Sequence, residues 1–277
     1  QIILSLLYWT INKIWSKTPE ENRTGRRAFF RTAATIVPLA TIGGSSYAAF
    51  AGQQELVVTH ESFGYTNLPP GLKNYKIVQL SDIHIGPSID LDDFDEILKL
   101  ALLQKPNRVV ITGDLIDKLA WLPQVCERLT TFAKQIPDGV DFILGNHEYH
   151  HDVNKVLDSL KRNTPMNILV NSNIQIMGGK QPVYIAGVAY DNDREKEKRE
   201  AMIDKALSGI PDYAFVILLA HHPEFFEESI ERKIPLTLSG HTHGGQIVFM
   251  GMPLVPTGTP YTKAVSYTHS DAADEAR

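Results

Sequence analysis

Seven side chains that can bind divalent metal ions follow short apolar segments of this sequence. They are Asp82, His84, Asp114, Asn146, His221, His241 and His243. Oxygen and imidazole donors without a thiolate suit Mn, Fe or Zn. Seven donors exceed the four protein ligands of a structural zinc site, and they are enough for two ions that share one carboxylate. Two ions roughly 3.5–4 Å apart are the usual arrangement for in-line displacement at phosphorus.

The spacing of these donors supports the idea of shared ions. Asp82 and His84 are two residues apart, and so are His241 and His243. In an extended segment such residues point the same way, so each pair can reach one ion. A single Asp-x-His or Gly-Asp has no specificity, because a surface or capping residue is its ordinary interpretation. Only the whole set, with each member after a predicted strand, is specific.

The elements that position these donors form an alternating pattern of strands and helices. Strands are predicted at Tyr75–Leu80, Arg108–Thr112, Val140–Leu144, Val183–Val188, Phe215–Ala220 and Leu236–Ser239, after a first strand at Val57–His60. Helices are predicted at Leu91–Leu103, Trp121–Gln135, Val153–Leu160, Asp193–Leu207 and Pro223–Ile230. The alternation indicates an α/β fold. Ligands of such folds bind beyond the carboxyl ends of the strands, where the donors are expected to converge.

Composition restricts the class of protein. The 277 residues include 43% hydrophobic and 21% charged residues, so the chain can bury a sizeable core and is not a disordered protein. A single cysteine, Cys126, excludes an intramolecular disulfide framework and a cysteine-based zinc site. The net charge of −5 argues against a general nucleic-acid binder, so no nucleic-acid partner is expected.

The charge is divided unevenly along the chain. Residues 1–60 have six basic and three acidic residues, a charge of +3, which leaves 21 basic and 29 acidic residues, or −8, in the remainder. An uncharged apolar stretch, Ala33–Phe50, follows Arg26 and Arg27, a pattern similar to a twin-arginine export signal. An uncleaved membrane anchor fits equally well, and a buried core helix fits less well. We therefore expect residues 1–55 to be a membrane leader, with the acidic body on the extracytoplasmic side of a bacterial membrane.

The donors occur within motifs that resemble those of a known family. Asp82-Ile83-His84, Gly113-Asp114, Gly145-Asn146-His147-Glu148, His221 and Gly240-His241-Thr242-His243 resemble the signature of the calcineurin-like metallophosphoesterases. The resemblance covers residues 56–264 and implies a four-layer α/β/β/α sandwich with a dinuclear metal site at its edge. The segment from Gly240 to Gln246 is similar to a bacterial membrane-linked branch of the family.

The resemblance also implies a role for each residue. One ion would be held by Asp82, His84, Asp114 and His243, and the other by Asp114, Asn146, His221 and His241. A hydroxide shared by the two ions would attack phosphorus in line. His147 would be catalytic, stabilising the phosphorane oxygen and protonating the leaving oxygen.

The substrate is less well defined than the chemistry. Protein phosphatases of this family have Arg before the Gly-Asn-His-Glu motif, where this chain has Leu144, so a phosphoprotein is disfavoured. We expect a phosphomonoester or phosphodiester, lipid- or nucleotide-linked and associated with a membrane. An enzyme like the UDP-2,3-diacylglucosamine hydrolases of lipid A synthesis is an alternative. A non-catalytic metal-binding scaffold is a weaker one, because all the expected ligands are present.

The C-terminal segment departs from the family pattern. Relatives continue with further strands after the segment that ends at Gln246, so we expect the sandwich to be truncated at its C-terminus. Residues 265–277 are polar, rich in Ala and Asp, and resemble translated adapter sequence. We expect this tail to be an artefact.

Overall fold

A computed structural model describes residues 56–189 and 195–242, together with the backbone of short strands at 248–249, 252–253 and 265–267. The chain divides into two units, residues 1–60 and 61–277. The described part of the first unit, residues 56–60, has no regular secondary structure. The predicted strand Val57–His60 is therefore wrong. Val57 is 75% exposed, so no sheet face covers its side chain.

The first sheet consists of four parallel strands in the order β1-β2-β3-β4. The strands are β1 (Ile77–Leu80), β2 (Arg108–Ile111), β3 (Val140–Phe142) and β4 (Asn167–Ile168). The helices between them are α1 (Leu91–Leu103), α2 (Leu122–Ala133), α3 (Asn146–His151) and α4 (Val153–Asn163). Parallel neighbours need such crossover connections, which brings all four carboxyl ends to one edge.

The second sheet has the strand order β11-β8-β7-β6-β5. Its strands are β5 (Ser172–Met177), β6 (Val183–Gly187), β7 (Phe215–Ala220), β8 (Leu236–Ser239) and β11 (Val265–Tyr267). Its helices are α5 (Lys196–Leu207) and α6 (Phe225–Glu231). The central strands β6, β7 and β8 are parallel, whereas β5 and β11 run antiparallel to their neighbours. Two further short strands, β9 (Val248–Phe249) and β10 (Met252–Pro253), pair with each other.

Alternation along the strands divides the core into layers. On β2, Val109 and Ile111 pack against α1, α2 and α4, whereas Val110 faces the second sheet. On β7, Ile217 contributes to the core between the sheets, and Leu218 packs with residues of α5 and α6. Each fully buried aliphatic side chain contributes about 1.5–3 kcal/mol. The result is the predicted four-layer α/β/β/α sandwich.

A buried ion pair lies at the amino-terminal end of β2 and β3, away from the predicted ligands. Arg108 Nε is 2.6 Å from Asp141 Oδ2, and Nη2 is 3.0 Å from Asp141 Oδ1. Asn167 Nδ2 donates to Asp141 Oδ1 at 2.8 Å. Asp141 is completely buried, so these three bonds replace the solvation that its charge loses. These bonds connect the neighbouring strands β2, β3 and β4.

The predicted strands that precede predicted ligands are all present. The strands that were not predicted include β4, which is only two residues long, and β5, which has just two alternating isoleucines. Val265–Tyr267, within the predicted artefactual tail, pairs with Leu236–Leu238 of β8. The origin of that tail and the domain boundaries stay predictions.

Candidate metal centre

Six of the seven predicted ligands lie together beyond the carboxyl ends of strands from both sheets. In chain order they are Asp82 and His84 after β1, Asp114 after β2, Asn146 after β3, His221 after β7 and His241 after β8. His243, the seventh, lies outside the described residues. The site is therefore built where the edges of two sheets meet, as the position of the motifs predicts.

Two groups of donor atoms share one carboxylate. The donor atoms of Asp82, His84 and Asp114 lie within 4.8 Å of one another, and those of Asp114, His221 and His241 meet the same limit. His84 Nε2 is 3.7 Å from Asp114 Oδ2, and His221 Nε2 is 3.3 Å from the same oxygen. Asp114 thus faces both groups, which is the placement a bridging ligand requires.

Asn146 completes the second group. Its Oδ1 lies 3.0 Å from His221 Nε2 and 2.9 Å from His241 Nδ1, and these two nitrogens are 3.3 Å apart. Donor atoms bonded to one ion at about 2.0–2.2 Å are separated by roughly this much. The three atoms therefore surround a position that a single ion could occupy.

The protonation states at the centre favour a bound cation. His221 Nδ1 is 2.7 Å from the carbonyl oxygen of Thr112, which can only accept, so Nδ1 has the proton and Nε2 faces Asp114. Burial alone would raise the pKa of Asp114, but the hydrogen bond and charge of His221 and the backbone N–H of His147 lower it to about 2. The carboxylate is ionised at neutral pH. Such a buried negative charge is stabilised by a bound cation.

The donor set fits the divalent ions expected from the sequence. Carboxylate, amide and imidazole donors converge at this site. Cys126 is buried on α2 in the hydrophobic core beneath the helices, so it is not one of these donors. Mn, Fe and Zn accept such oxygen and nitrogen ligands. Clusters of side chains that could hold metal ions are thus present.

Four of the predicted ligands have left-handed backbone conformations. The φ angles are 53° at Asp82, His84 and Asp114, and 70° at His241. A left-handed non-glycine residue costs on the order of 1–3 kcal/mol and persists where its surroundings impose it. Here the N–H of Asp82 donates to Gly113 O at 3.1 Å, and that of His84 donates to Asp114 O at 3.0 Å. The turns at the strand ends are thus tied to each other by backbone hydrogen bonds.

Two glycines allow the ligand loops to approach closely. A Cβ at Gly145 would lie 2.5 Å from Asp114 N and 2.8 Å from Asp114 Cγ. A Cβ at Gly240 would lie 2.6 Å from Asp82 Oδ2. Ordinary carbon contacts begin near 3.5 Å, so a side chain at either position would displace a ligand. This accounts for glycine in both motifs.

Glu148 fastens two of the ligand loops to each other. It is completely buried, and its carboxylate accepts the N–H groups of Gly145 at 2.7 Å, Asp114 at 3.0 Å and Leu115 at 2.8 Å. Burial and the nearby charge of Asp114 raise its pKa, although the three hydrogen bonds oppose this. The sequence analysis assigned Glu148 no function. Its position three residues after Gly145 was the available signal, since a Glu there accepts the N–H of the residue before the helix.

Asp117 is a site residue that the sequence analysis missed. Its Oδ1 is 2.7 Å from His147 Nδ1, 3.3 Å from His84 Nδ1 and 3.7 Å from His151 Nε2. Burial would raise the pKa of Asp117, but the hydrogen bonds and charges of His147 and His84 lower it. The only signal was a carboxylate three residues beyond Asp114, on the same loop. Asp117 orients the rings of a predicted ligand and of the predicted catalytic histidine.

His147 lies beside the six predicted ligands that the structure describes. Its backbone N–H donates to Asp114 Oδ1 at 2.8 Å, and its ring packs edge-on against that of His84, with 4.3 Å between the ring centroids. Its side chain is 34% exposed, so it can meet a substrate from solution. His222 Nδ1 accepts the N–H of Glu224 at 3.4 Å, just before the start of α6.

Comparison with known proteins identifies the family. Residues 75–245 match the calcineurin-like phosphoesterases, an interval that contains every predicted ligand. The chain belongs to the calcineurin-like phosphoesterase family. The resemblance given by the sequence motifs is thereby confirmed, and so is the class of hydrolases that act on phosphoester bonds.

Relatives of this phosphoesterase are found in bacteria and animals. An uncharacterized metallophosphoesterase of Campylobacter jejuni is 37% identical over 65% of this chain and 47% of its own length. One from Bacillus subtilis is 30% identical over 82% of this chain and 80% of its own. A bovine transmembrane protein with a metallophosphoesterase domain is 33% identical over 65% of this chain and 43% of its own. The chain thus spans less than half the length of the Campylobacter jejuni and bovine relatives.

The family match leaves the predicted membrane leader untested. Residues 1–55 of this phosphoesterase lie outside the described residues. Among the residues that the structure does describe, none forms a helix of the length and hydropathy needed to cross a bilayer. The leader and the membrane-linked branch of the family stay predictions.

Proposed function

We propose that this chain hydrolyses a phosphate monoester or diester at a pair of divalent ions. Asp114 would be shared by both ions, and the remaining ligands would be Asp82, His84 and His243 for one ion and Asn146, His221 and His241 for the other. The observation on which the proposal depends is the single buried carboxylate of Asp114, which faces two separate donor groups. Bound there, Mn, Fe or Zn ions would polarise the phosphoryl oxygens and lower the pKa of water near phosphorus.

His147 is the proposed general acid. Asp117 Oδ1 accepts from its Nδ1 at 2.7 Å, which orients the ring and leaves Nε2 for the substrate. Protonation of the leaving oxygen by a positioned side chain contributes typically about 10²–10⁴-fold to the rate. Asp117 acts through His147 and is therefore a positioning residue.

The substrate class follows from charge and from one buried residue. Leu144 stands at the position where the protein phosphatases of this family have an arginine, and it is completely buried. The chain therefore has no arginine at this position to bind a phosphoprotein. The charge of −8 on residues 61–277 disfavours a long polynucleotide. A small lipid- or nucleotide-linked phosphate ester is the class that remains.

We also propose that residues 1–55 attach the chain to a membrane, with the phosphoesterase domain on the extracytoplasmic side. The apolar stretch Ala33–Phe50 behind Arg26 and Arg27 supports this orientation. The bovine relative, described as a transmembrane protein, shows that such domains occur in membrane proteins. A chain of residues 1–277 expressed in bacteria should resist carbonate extraction from membranes and should be digested by protease added to spheroplasts. Recovery in the soluble cytoplasmic fraction would overturn this proposal.

The enzymatic proposal is tested with metal analysis and a chromogenic phosphodiester. Purified chain should bind close to two transition-metal ions and hydrolyse the ester after addition of Mn²⁺. Less than about one bound ion per chain, together with no hydrolysis after addition of Mn²⁺, would overturn the enzymatic proposal.

Two variants distinguish the proposed role of His147 from that of a neighbouring histidine on the same helix. His147→Ala should lower turnover by about 10²–10⁴-fold with unchanged metal content. His150→Ala, from the same helix, should retain both turnover and metal. Loss of metal in His147→Ala would contradict its assignment as a general acid.

A further inference from the structure

A polar side chain joins the two sheets next to the predicted ligands. Gln79, on β1, donates from its Nε2 to Thr112 Oγ1 at 2.9 Å and to the carbonyl oxygen of Ser239 at 2.8 Å. Thr112 directly follows β2 in the first sheet, Ser239 is the last residue of β8 in the second, and both are buried. A side-chain amide has two N–H groups, one for each acceptor. One side chain thus connects the carboxyl ends of three strands from both sheets.

The direction of Gln79 follows from the alternation of side chains along β1. Val78 and Leu80 pack against the helix-side core, whereas Ile77 packs in the layer between the sheets. Side chains alternate along a strand, so the partly buried Gln79 faces the same layer as Ile77. An amide placed against an apolar layer loses contacts with water, which its two hydrogen bonds replace. An aliphatic side chain would pack there without such bonds, so packing alone does not account for the amide.

Each acceptor of Gln79 belongs to a segment that carries a predicted ligand. The carbonyl oxygen of Thr112 is 2.7 Å from His221 Nδ1, which orients that ring. Ser239 lies two residues before His241. The facing nitrogens of the two rings, His221 Nε2 and His241 Nδ1, are 3.3 Å apart. The amide therefore holds together the two backbone segments on which the separation of these rings depends.

The two proposed ions differ in how they depend on the contact between the sheets. The described ligands of one ion are Asp82, His84 and Asp114, which all follow strands of the first sheet. The other ion takes Asn146 from the first sheet and its two histidines from the second. A shift between the strand ends of the two sheets would therefore separate the ligands of the second ion and leave the described ligands of the first together.

We propose that Gln79 is a positioning residue for His221 and His241, the histidines of the second ion. This inference rests on the proposed function, which assigns both rings to that ion. The amide sets the separation between the end of β2, whose carbonyl orients His221, and the end of β8, which leads to His241. Without its bonds the sheets still pack through their apolar faces, but their ends can shift. The ion that the two histidines share with Asn146 should then bind more weakly, with a smaller effect on the other ion.

The experiment uses the chain of residues 1–277, stripped of metal and titrated with Mn²⁺. Equilibrium dialysis counts the bound ions, and electron paramagnetic resonance distinguishes a magnetically coupled pair of Mn²⁺ ions from an isolated ion. Wild type should bind two ions and give the spectrum of a coupled pair. Gln79→Met keeps the length of the side chain but loses both donors. It should weaken one ion by about 10- to 100-fold, and should give the spectrum of an isolated ion at concentrations that fill both positions in wild type.

Gln175→Met is the matched control, because it makes the same change on β5, three strands from β8 in the second sheet. It should bind both ions as wild type does. A second pair of variants tests the same bond from its other end. Thr112→Val replaces only the hydroxyl and should reproduce the selective loss, whereas Thr112→Ser keeps the hydroxyl and should recover most of the affinity. A purely structural role of Gln79 would lower the urea midpoint and leave the ratio of the two affinities unchanged.

The outcomes separate this inference from the proposed function. Equal affinities for both ions in Gln79→Met and wild type would overturn the inference, and so would an equal weakening of both ions. A loss in Thr112→Ser as large as that in Thr112→Val would also overturn it. A wild-type chain that binds the coupled pair but does not hydrolyse a chromogenic phosphodiester, together with the selective loss in Gln79→Met, would support the inference and count against the proposed hydrolysis. A wild-type chain without a bound pair would refute both.

Discussion

Replacing Gly145 with alanine should disable the centre while leaving the backbone unstrained. Gly145 has φ −103° and ψ −175°, a conformation open to alanine, so the added methyl acts through contact alone. That methyl would lie 2.8 Å from Asp114 Cγ and 2.5 Å from Asp114 N. Since carbon atoms in contact are about 3.5–4.0 Å apart, Asp114 and the Gly145 loop would have to separate by roughly 1 Å.

That displacement determines the expected magnitudes. Asp114 faces both ligand groups, so a shift of about 1 Å changes the geometry of each, and a misplacement of this size can lower turnover by about 100-fold. Forcing a methyl into a packed region costs about 1–3 kcal/mol of unfolding free energy. The separation would also lengthen the bonds from Glu148 to the N–H groups of Gly145 and Asp114, which are now 2.7 and 3.0 Å. We therefore expect reduced metal content, strongly reduced turnover and a moderate loss of stability.

The assay compares Gly145→Ala with Gly64→Ala. A Cβ at Gly64 meets nothing within 4 Å, and Gly64 does not have a positive φ, so the control adds the same methyl without a clash. Metal content, kcat/KM on a chromogenic phosphodiester and the urea midpoint should change only in Gly145→Ala. If Gly145→Ala binds metal and turns over substrate as well as Gly64→Ala does, then close approach of this loop to Asp114 does not position the ligands.

Three other changes give distinct expected outcomes. Asp117→Asn should lower kcat by about 10- to 100-fold with unchanged metal content, because the ring of the general acid loses its charged partner; a normal kcat would refute that role. Glu148→Ala leaves three buried N–H groups without an acceptor, at a cost of about 1–3 kcal/mol of unfolding free energy for each. Glu148→Gln keeps one side-chain oxygen as an acceptor. Urea unfolding should therefore show a larger loss of stability for Glu148→Ala than for Glu148→Gln. Asp141→Ala leaves the buried charge of Arg108 without a partner and should lower the free energy of unfolding by about 3–5 kcal/mol. Asp95→Ala breaks an exposed ion pair and should lower it by no more than about 1 kcal/mol. Equal losses in the two variants would contradict the importance of burial.

The sequence was informative wherever a repeated pattern reflected a repeated physical constraint. Buried parallel strands are continuous apolar runs, so Arg108–Ile111 and Phe215–Ala220 were predicted nearly to the residue. The candidate ligands were selected from the sequence because each follows such a run. In contrast, Ser172–Met177 is partly exposed and forms the antiparallel edge of its sheet, and it has no pattern of this kind.

The residues that support the ligands were harder to predict, because their function is defined by contacts across the fold. Asp117 touches His147, thirty positions later, and His151 beyond it. Glu148 bonds the backbone of Asp114 and Leu115, more than thirty positions earlier. Neither residue type is unusual on a loop or a short helix. Only the distances in the structure show that Asp117 orients the ring of His147 and that Glu148 holds two loops together.

The division of the centre between two sheets has a consequence for how the protein reaches its active form. Asp114 belongs to the first sheet and His221 to the second, and Asp82 accepts the N–H of His241 from a position 159 residues earlier. Contacts so distant in sequence form late in folding, since closing a long loop costs entropy before any contact forms. During synthesis the centre cannot exist until the ribosome has passed His241. Metal binding by the nascent chain should therefore begin only after the two sheets have packed together. Chelators should favour the separation of the two sheets.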